Sequence, residues 1–570
     1  MKNQEIAKIL FEIAEMLELQ NVPFKPRAYQ RAARTIESLP EDIEDVWKRG
    51  DILELPGIGE SIAEKIVEYI TTGKIKYFLD IKKKLPIDVE ELGKVPGLGP
   101  KRMKLLYDKL KVATLADLKK AAEQHKIQRI RGLGEKVEDD ILKGIAFAQK
   151  NTSRVLLGYI IPFVEELRQK LQAHPSVKKV EIAGSYRRKK ETIGDIDILM
   201  VSPAPKKVMD FFVHMDDVAD VLAHGVSKSS VLLKSGIQID ARVVHEREFG
   251  SALQYFTGNK EHNVELRKIA LKKGLTLNEY GLFTLKDKKW VAGRTEDEIY
   301  KKLGVDIMPP EMREHMGEIE AGIHHTLPHV LEYGSCIGDF QMHTVWSDGQ
   351  NTIEEMAKAA EKLGRKFITI TDHVGQVGIT RPLNDRRLEQ QAKEIARVQK
   401  KVGIRIFHGA EVDILRDGNL ALGAAWQNKL DVVLASVHLA TKMGSAEMTK
   451  RICAAIETNR VHILGHPTGR LLNKRDGYML DFGQLSDAAR ATHTLLDIDC
   501  HPERMDLSSV HIKAAKDAGC QFAISTDSHS VAELHNLHLG EALARRGWLE
   551  KSDVLNTFSV KEIERVLGMK

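Results

Sequence analysis

Apolar and polar positions change period along this chain, and the changes mark its organisation. The opening MKNQEIAKILFEIAEML is an amphipathic helical pattern carrying Glu5, Glu12 and Glu15, and residues 1–150 continue as short helices broken by glycine turns. From about 151 to 245 the pattern is mixed. VKKVEIAGS, DIDILMV and IQIDARVV alternate or run apolar as strands do, and a helix and more strand follow to about 300. DIMPPEMRE, with Pro309 and Pro310, is a boundary signal, and 318–332 reads as a histidine-containing helical stretch. Residues 338–570 then alternate short apolar strands with helices, the signature of a parallel sheet or barrel.

A chain of 570 residues is too long for one core and predicts roughly three or four domains. With 42% hydrophobic and 29% charged residues, the composition is that of a soluble protein, and no apolar run is long enough for a membrane span. The N-terminus lacks an apolar core and cleavage site, so it is not read as a secretory signal. Cys336, Cys453, Cys500 and Cys520 form no CxxC pair, which fits a reducing cytoplasm and excludes a cysteine zinc site. The net charge of +5 is small, but residues 101–150 hold 13 Lys or Arg against 7 Asp or Glu. A locally basic segment of this kind suits a phosphate-binding face or a solvated helix surface.

One motif recurs in the helical block. LPGIGESIAEKI (55–66), VPGLGPKRMKLL (95–106) and IRGLGEKVEDDI (130–141) each place Gly-x-Gly ahead of a helix, at Gly57 and Gly59, Gly97 and Gly99, and Gly132 and Gly134. The glycines permit a tight turn, and backbone N–H groups at the helix start can hold a phosphate without reading bases. These segments resemble helix-hairpin-helix clamps on the DNA backbone.

AGSYRRKKETIGDIDILMV (183–201) carries the first chemistry. Asp195 and Asp197 lie one residue apart on a predicted strand, so their carboxylates share a face. Such close like charges need a cation between them, and oxygen ligands suit Mg²⁺ or Mn²⁺. Asp240, in IQIDARVV, is a third carboxylate on a second strand. Three such groups can hold two ions about 4 Å apart, the arrangement of phosphoryl transfer. A bare Asp-x-Asp is also compatible with a solvated strand end; the turn at Gly184-Ser185 favours a phosphate site.

GSYRRKKETIGDID, IDARVV and YFTGNKEHNVELRKIALKKGLTLNEYGLF (255–283) resemble the palm and nucleotide-binding elements of the DNA polymerase beta-like, or family X, polymerases, over residues 1 to about 315. The resemblance implies that Asp195, Asp197 and Asp240 are catalytic metal ligands. It implies that Ser185 and Arg188, with Gly184 and Gly194, meet the incoming nucleotide. Tyr255, Phe256 and Gly258 then form the wall facing the sugar, and Asn263 meets the minor-groove edge of the new pair. Gln238 and Lys260 depart from the polymerase beta pattern. The N-terminal block is similar to the lyase domain of these polymerases. There Lys65 matches the lysine that forms a Schiff base with an abasic-site sugar, and Lys25 and Tyr29 match positions near the 5′-phosphate. Ser61 replaces a lysine of that pattern, and a plain DNA-backbone lysine is the competing reading of Lys65.

The second chemistry lies in the C-terminal third. His343 and Asp348 follow the first strand there, and FITITDH, IRIFHGAE, VVLASVH, VHILGHP and FAISTDSH end in His373, Glu411, His438, His466, and Asp527 with His529. Strand–helix barrels collect their reactive groups at that end of their strands. Histidine and carboxylate without cysteine suit Mn²⁺, Zn²⁺ or Fe. These motifs resemble the polymerase and histidinol phosphatase (PHP) family, a distorted α/β barrel, and carry its ligand set except that Gln341 stands first in the usual His-x-His pair. His324, His325, His408 and His462 are read as surface or structural.

Together the segments resemble the bacterial and archaeal family X polymerases that end in a PHP domain. The implied order is a lyase-like helix-hairpin-helix domain (1–85), a second helix-hairpin-helix subdomain (86–150), an α+β palm (151–260), a nucleotide-selection subdomain (261–317), a linker (318–333) and the PHP barrel (334–570). The resemblance implies gap-filling synthesis in base-excision repair from dNTPs on gapped or primed DNA with a 5′-phosphate. It also implies a 3′→5′ exonuclease and abasic-site activity, in a cytoplasmic monomer. Three other readings stand beside it: a PHP domain that only binds metal, a small-molecule phosphatase tethered to a polymerase, and a DNA-binding scaffold. The carboxylate set argues against the last.

Overall fold

The computed structural model describes residues 2–569 except 20–21, 23–24, 40–42, 56, 85–86, 89–91, 93–94, 96–97, 99, 131–132, 135–136, 139–140, 143–144 and 146–153. Two compact units divide it: Met1–Ser153 with Met209–Leu303, and Arg154–Val208 with Gly304–Lys570. Among the described residues no helix is long and apolar enough to cross a membrane.

In the first unit, helices Lys2–Leu19, Lys25–Ser38, Glu60–Thr72, Lys76–Lys84, Pro100–Leu110 and Leu115–Glu123 turn their apolar stripes onto one core. Ile6, Leu10, Ile13 and Leu17 recur at the three- and four-residue spacing of a single helix face and meet Ala33, Ile36 and Ile66. Helix Glu60–Thr72 starts after the extended Gly59 and stops at Gly73, whose left-handed backbone ends it cheaply. Leu115–Glu123 is fixed by a capping box between Thr114 and Asp117. Strands Val218–His224, Lys228–Leu233 and Gln238–Val244 pair antiparallel in sequence order. Helices Phe249–Thr257 and Lys260–Lys272 follow, then a small antiparallel sheet of Leu275–Asn278, Gly281–Thr284 and Trp290–Ala292.

The second unit begins with helix Leu157–Gln172 and the antiparallel strands Lys179–Ile182 and Asp195–Val201. The run VKKVEIAGS is a strand only as far as Ile182, because Gly184–Arg187 turns into a short helix. The helix expected over 318–332 is limited to Glu318–Ile323. His325 takes a left-handed backbone, φ +59°, and Pro328 lacks the N–H that a continuing helix would use.

Beyond it lies a parallel sheet in the order Gly338–Met342, Phe367–Ile370, Arg405–Asp413, Val432–Ser436, Ile463–Leu464, Leu495–Asp499 and Phe522–Ser525. A parallel bridge from Met342 to Ser528 brings its two ends together, so the sheet is nearly closed. Phe340, Phe367, Phe407, Val432, Leu434, Ile463 and Leu495 fill a core of the barrel. Outside, helices such as Ile353–Lys362 bury Ile353, Met356, Ala357 and Ala360 against it.

Candidate metal centre and nucleotide-binding turn

One end of the barrel gathers the predicted donors. His343 and Asp527 follow the two strands that meet at the closure, and His373, His438 and His466 follow three others. Glu411 lies within Arg405–Asp413, two residues short of its end. Its carboxylate is the hub: Oε1 lies 3.2 Å from His438 Nε2 and 3.0 Å from His466 Nε2, while Oε2 lies 3.1 Å from His373 Nδ1 and 3.4 Å from His343 Nε2. Asp348 stands 3.6 Å from both His373 and His529, and His343 Nε2 is 3.0 Å from Asp527 Oδ1. Three overlapping groups are spaced to hold a cation: His343, Asp348, His373 and His529; His373, Glu411 and His438; and His343, Glu411 and Asp527.

Gln341 is fully buried beside them, donating through Nε2 to Asp527 Oδ1 at 3.1 Å and accepting from Ser525 Oγ at 3.4 Å. An amide thus supports a carboxylate where an imidazole was the expected pattern. His408 and His462 sit apart, each held neutral by burial with its pKa lowered to about 4.

Several residues that orient this cluster carry no motif of their own. Asp413 accepts from His438 Nδ1 at 2.7 Å, which fixes the ring so that Nε2 faces Glu411. Asp372 is wholly buried and accepts from Thr344, Ser347 and Gln391, tying the loop after His343 to the strand before His373. Arg504 Nε lies 3.5 Å from Asp499 and 3.8 Å from Asp527. Gly375 is required by a close approach: a Cβ there would stand 2.1 Å from Asp413 Oδ2.

The electrostatics show a cluster short of positive charge. Burial opposes ionisation at Glu411, yet His373 and His438 hold its pKa well below the usual range. Asp348 is likewise brought to about 2 against burial by His529, His343 and His373. Burial dominates at His373 and lowers it to about 4, whereas at His438 Glu411 and Asp413 overcome burial and raise it to about 10. His529 rises to about 10 beside Asp348 and Asp527, again against burial. His438 and His529 are thus the cationic partners of these carboxylates, and a divalent ion bound there would displace their protons. Glu411 Oε2, Asp348 Oδ1, His343 Nδ1 and His466 Nδ1 are buried with no hydrogen-bond partner among the described residues, and such lone pairs fit divalent cations.

The same unit holds the turn 183–191 and the strand it precedes. Asp195 and Asp197 start strand Asp195–Val201, with Asp195 exposed and Asp197 half-buried. Gly184 has φ +60°, and a Cβ there would fall 2.3 Å from Asp197 Oδ2, so only glycine lets the turn pass over that carboxylate. Ser185 Oγ is buried with no hydrogen-bond partner among the described residues. Arg188 Nε donates to Glu314 at 2.8 Å, and Lys190 reaches the other oxygen of Glu314 at 2.9 Å. A Cβ on Gly194 would meet Arg154 Nη1 at 2.9 Å.

The other predicted residues belong to the first unit. Asp240, on Gln238–Val244, accepts from Ser230 Oγ and from Gln238 Nε2 at 3.0 Å. Tyr255 and Phe256 pack edge to face at 5.0 Å near the end of helix Phe249–Thr257, and Gly258 closes it with φ +67°. Asn263 accepts from Gln254 at 2.6 Å and donates to the Tyr255 carbonyl at 2.7 Å. Lys65 lies over the Tyr77 ring at 4.8 Å, and burial together with Lys25 lowers its pKa. Tyr29 is buried and stacks on Tyr77. Gly57 has φ +81° and Gly59 precedes the helix bearing Lys65, while Gly134 has open space around it. Gly97, Gly99 and Gly132 lie outside the described residues.

A near-closed parallel barrel with histidine and carboxylate donors at its strand ends, preceded by a strand that opens on two aspartates beneath a glycine turn, fits a polymerase coupled to a metal-dependent phosphoesterase. Residues 339–497 match the PHP domain, 160–249 the DNA polymerase beta palm and 252–314 the DNA polymerase beta thumb. Residues 1–75 match a helix-hairpin-helix domain, and 89–146 a SAM-like helix-hairpin-helix tandem. The chain is similar to the DNA polymerase/3′-5′ exonuclease PolX of Bacillus subtilis (strain 168), with 35% identity over 571 residues, covering 100% of this chain and 99% of that protein. It is also similar to DNA polymerase lambda of Arabidopsis thaliana, 28% identical over 49% of this chain and 54% of that one. DNA polymerase lambda of Rattus norvegicus is 24% identical over 55% of this chain and 56% of its own. The chain belongs to the family X DNA polymerases that carry a C-terminal PHP domain.

Proposed function

We propose that this chain extends a primer across short DNA gaps and removes 3′-terminal nucleotides with its PHP barrel. The observation that carries the nuclease half is the convergence of His343, His373, His438 and His466 on the single buried carboxylate of Glu411. Asp348, Asp527 and His529 complete the donors, and Mn²⁺, Zn²⁺ or Fe fits them by chemical type. Bound there, such ions polarise a phosphodiester and its attacking water. The protein's own part is to hold donors rigidly, through Asp413 on His438 and Asp372 on the loop after His343.

For synthesis, Asp195 and Asp197 with Asp240 would hold Mg²⁺ or Mn²⁺, which would supply a lowered pKa at a primer 3′-hydroxyl and neutralise charge on the triphosphate. Ser185 and Arg188 receive the dNTP phosphates across the Gly184 turn, with Gly194 at its far side. Tyr255, Phe256 and Gly258 face the sugar, and Asn263 the new base pair. The glycines of the helix-hairpin-helix turns grip the DNA backbone, and Lys25 and Tyr29 lie toward the gap's 5′-phosphate. Lys65 is the amine for abasic-site lyase chemistry; its lowered pKa enlarges the neutral, nucleophilic fraction. The substrates are gapped or primed DNA and dNTPs, handled by a monomer in the cytoplasm. The hydrogen bond from Gln341 to Asp527 favours a second reading, in which the barrel binds metal without cutting DNA.

A labelled primer on gapped, 5′-phosphorylated DNA with Mn²⁺, with and without dNTPs, tests both halves. Asp197→Ala is expected to lose extension and keep degradation, and His373→Ala the reverse. Degradation that survives His373→Ala, or is absent from the unaltered protein, removes the nuclease; absence of extension removes the polymerase.

A further inference from the structure

The turn that carries Ser185 and Arg188 does not stand alone. Helix Leu537–Arg546 of the barrel ends in Arg546, a fully buried guanidinium that reaches this turn. Its Nη1 donates to the Arg188 carbonyl at 3.1 Å and stands 3.8 Å from Glu314. Its Nη2 donates to Ser509 Oγ at 3.2 Å and stands 3.5 Å from Glu191. A second barrel residue, Arg470, approaches the other oxygen of Glu191 at 3.3 Å and donates to the carbonyl of Arg504. Glu191 is thereby held ionised near pH 2 although burial opposes it. The turn is thus gripped at the Arg188 main-chain carbonyl and at the Glu191 carboxylate, while the side chain of Arg188 is held by Glu314.

We propose that Arg546 is a positioning residue for synthesis: from the metal barrel, it fixes the backbone turn that presents Ser185 and Arg188 to the dNTP phosphates. The inference rests on the reading of that turn as the nucleotide-phosphate site. Three features support a positional role over simple packing. A guanidinium donates in a planar fork, so it sets direction as well as distance. Its contact on the turn is a main-chain carbonyl, so moving it moves the backbone. Lastly, Ser185 Oγ is left without a hydrogen bond on the adjoining helical turn, as a donor awaiting an anion would be. Arg546 also lies between two carboxylates; its removal leaves Glu191 to Arg470 and Glu314 to Arg188 and Lys190, and takes away the cation that holds the two carboxylates near each other.

Single-nucleotide gap filling under steady-state conditions tests this in the full chain. Arg546→Met keeps volume and loses the fork; Arg546→Lys keeps the charge. For Arg546→Met the expected result is a dNTP KM raised about tenfold or more, with kcat changed far less and 3′→5′ degradation of a single strand within about twofold of the unaltered protein, the scale on which a misplaced binding group acts. Arg546→Lys should recover part of the KM. A KM within about twofold of the unaltered protein for Arg546→Met overturns the proposal, and so does a parallel fall of extension and degradation, which is what general loosening of the unit would give. Should Arg546→Met unfold, Ser509→Ala, which removes one anchor of the guanidinium, replaces it with the same readouts. Ser185→Ala and Arg188→Ala probe the underlying reading separately: an unchanged dNTP KM in both removes the turn as the phosphate site, whatever Arg546 does.

Discussion

Two sets of carboxylates in the second unit are held in opposite ways. Asp195 and Asp197 open a strand at the surface, one exposed and one half-buried, with a glycine turn lying over Asp197. Glu411 is buried inside a strand with four imidazoles around it. The first arrangement leaves room for large partners to complete it; the second is nearly complete before any substrate arrives. Donors preorganised around a buried carboxylate need no reorganisation at the moment of reaction. Exposed carboxylates suit a site that must accept a new template and nucleotide at every cycle.

The comparison breaks most visibly at its buried hub. Glu411→Gln keeps the shape and removes the charge that four imidazoles share, so degradation of a 3′-labelled strand is expected to fall on the order of 10³-fold, the scale of removing one member of a cooperative set. Extension by the same preparation should be unchanged; a comparable loss of both would mean that the two sets are not independent. A smaller effect is expected from the residue that aims His438. Asp413→Ala should weaken Mn²⁺ binding about 10- to 100-fold in calorimetric titration of metal-free protein, because the ring loses its orienting acceptor. Unaltered affinity would show that the barrel holds its donors without that support.

The smallest effect on either activity concerns acid stability. Glu191 titrates near 2 when folded against 4.5 for the free side chain, so its contribution is present above pH 4.5 and is lost as pH falls toward 2. The urea midpoint of the unaltered protein should fall across that window more steeply than that of Glu191→Gln. Equal slopes would mean that Arg470 and Arg546 do not hold the carboxylate.

The clustering of the histidine and carboxylate donors was largely legible because barrel geometry converts position along a strand into position in space. Each of His373, His438 and His466 follows an apolar run, so a one-dimensional pattern sufficed. Asp413, Arg504, Arg470 and Arg546 were not legible, since each acts through a partner distant in sequence and has no motif. The hairpin Val218–His224 with Lys228–Leu233 also escaped the strand pattern, because the first strand is exposed along nearly its whole length and shows no alternation. The helix expected over 318–332 failed for a local reason: charged and histidine residues kept the helical look while His325 and Pro328 ended it. Gln341 was legible as a departure; that its amide would support Asp527 required the fold.

The closure of the barrel has a consequence for the order in which the molecule comes into being. Its first strand meets the last through Met342 and Ser528, and the last supplies Asp527 and His529. A ribosome delivers those two donors after His343, Asp348, His373, Glu411, His438 and His466, so the barrel can gather its whole donor set only once its last strand has been made.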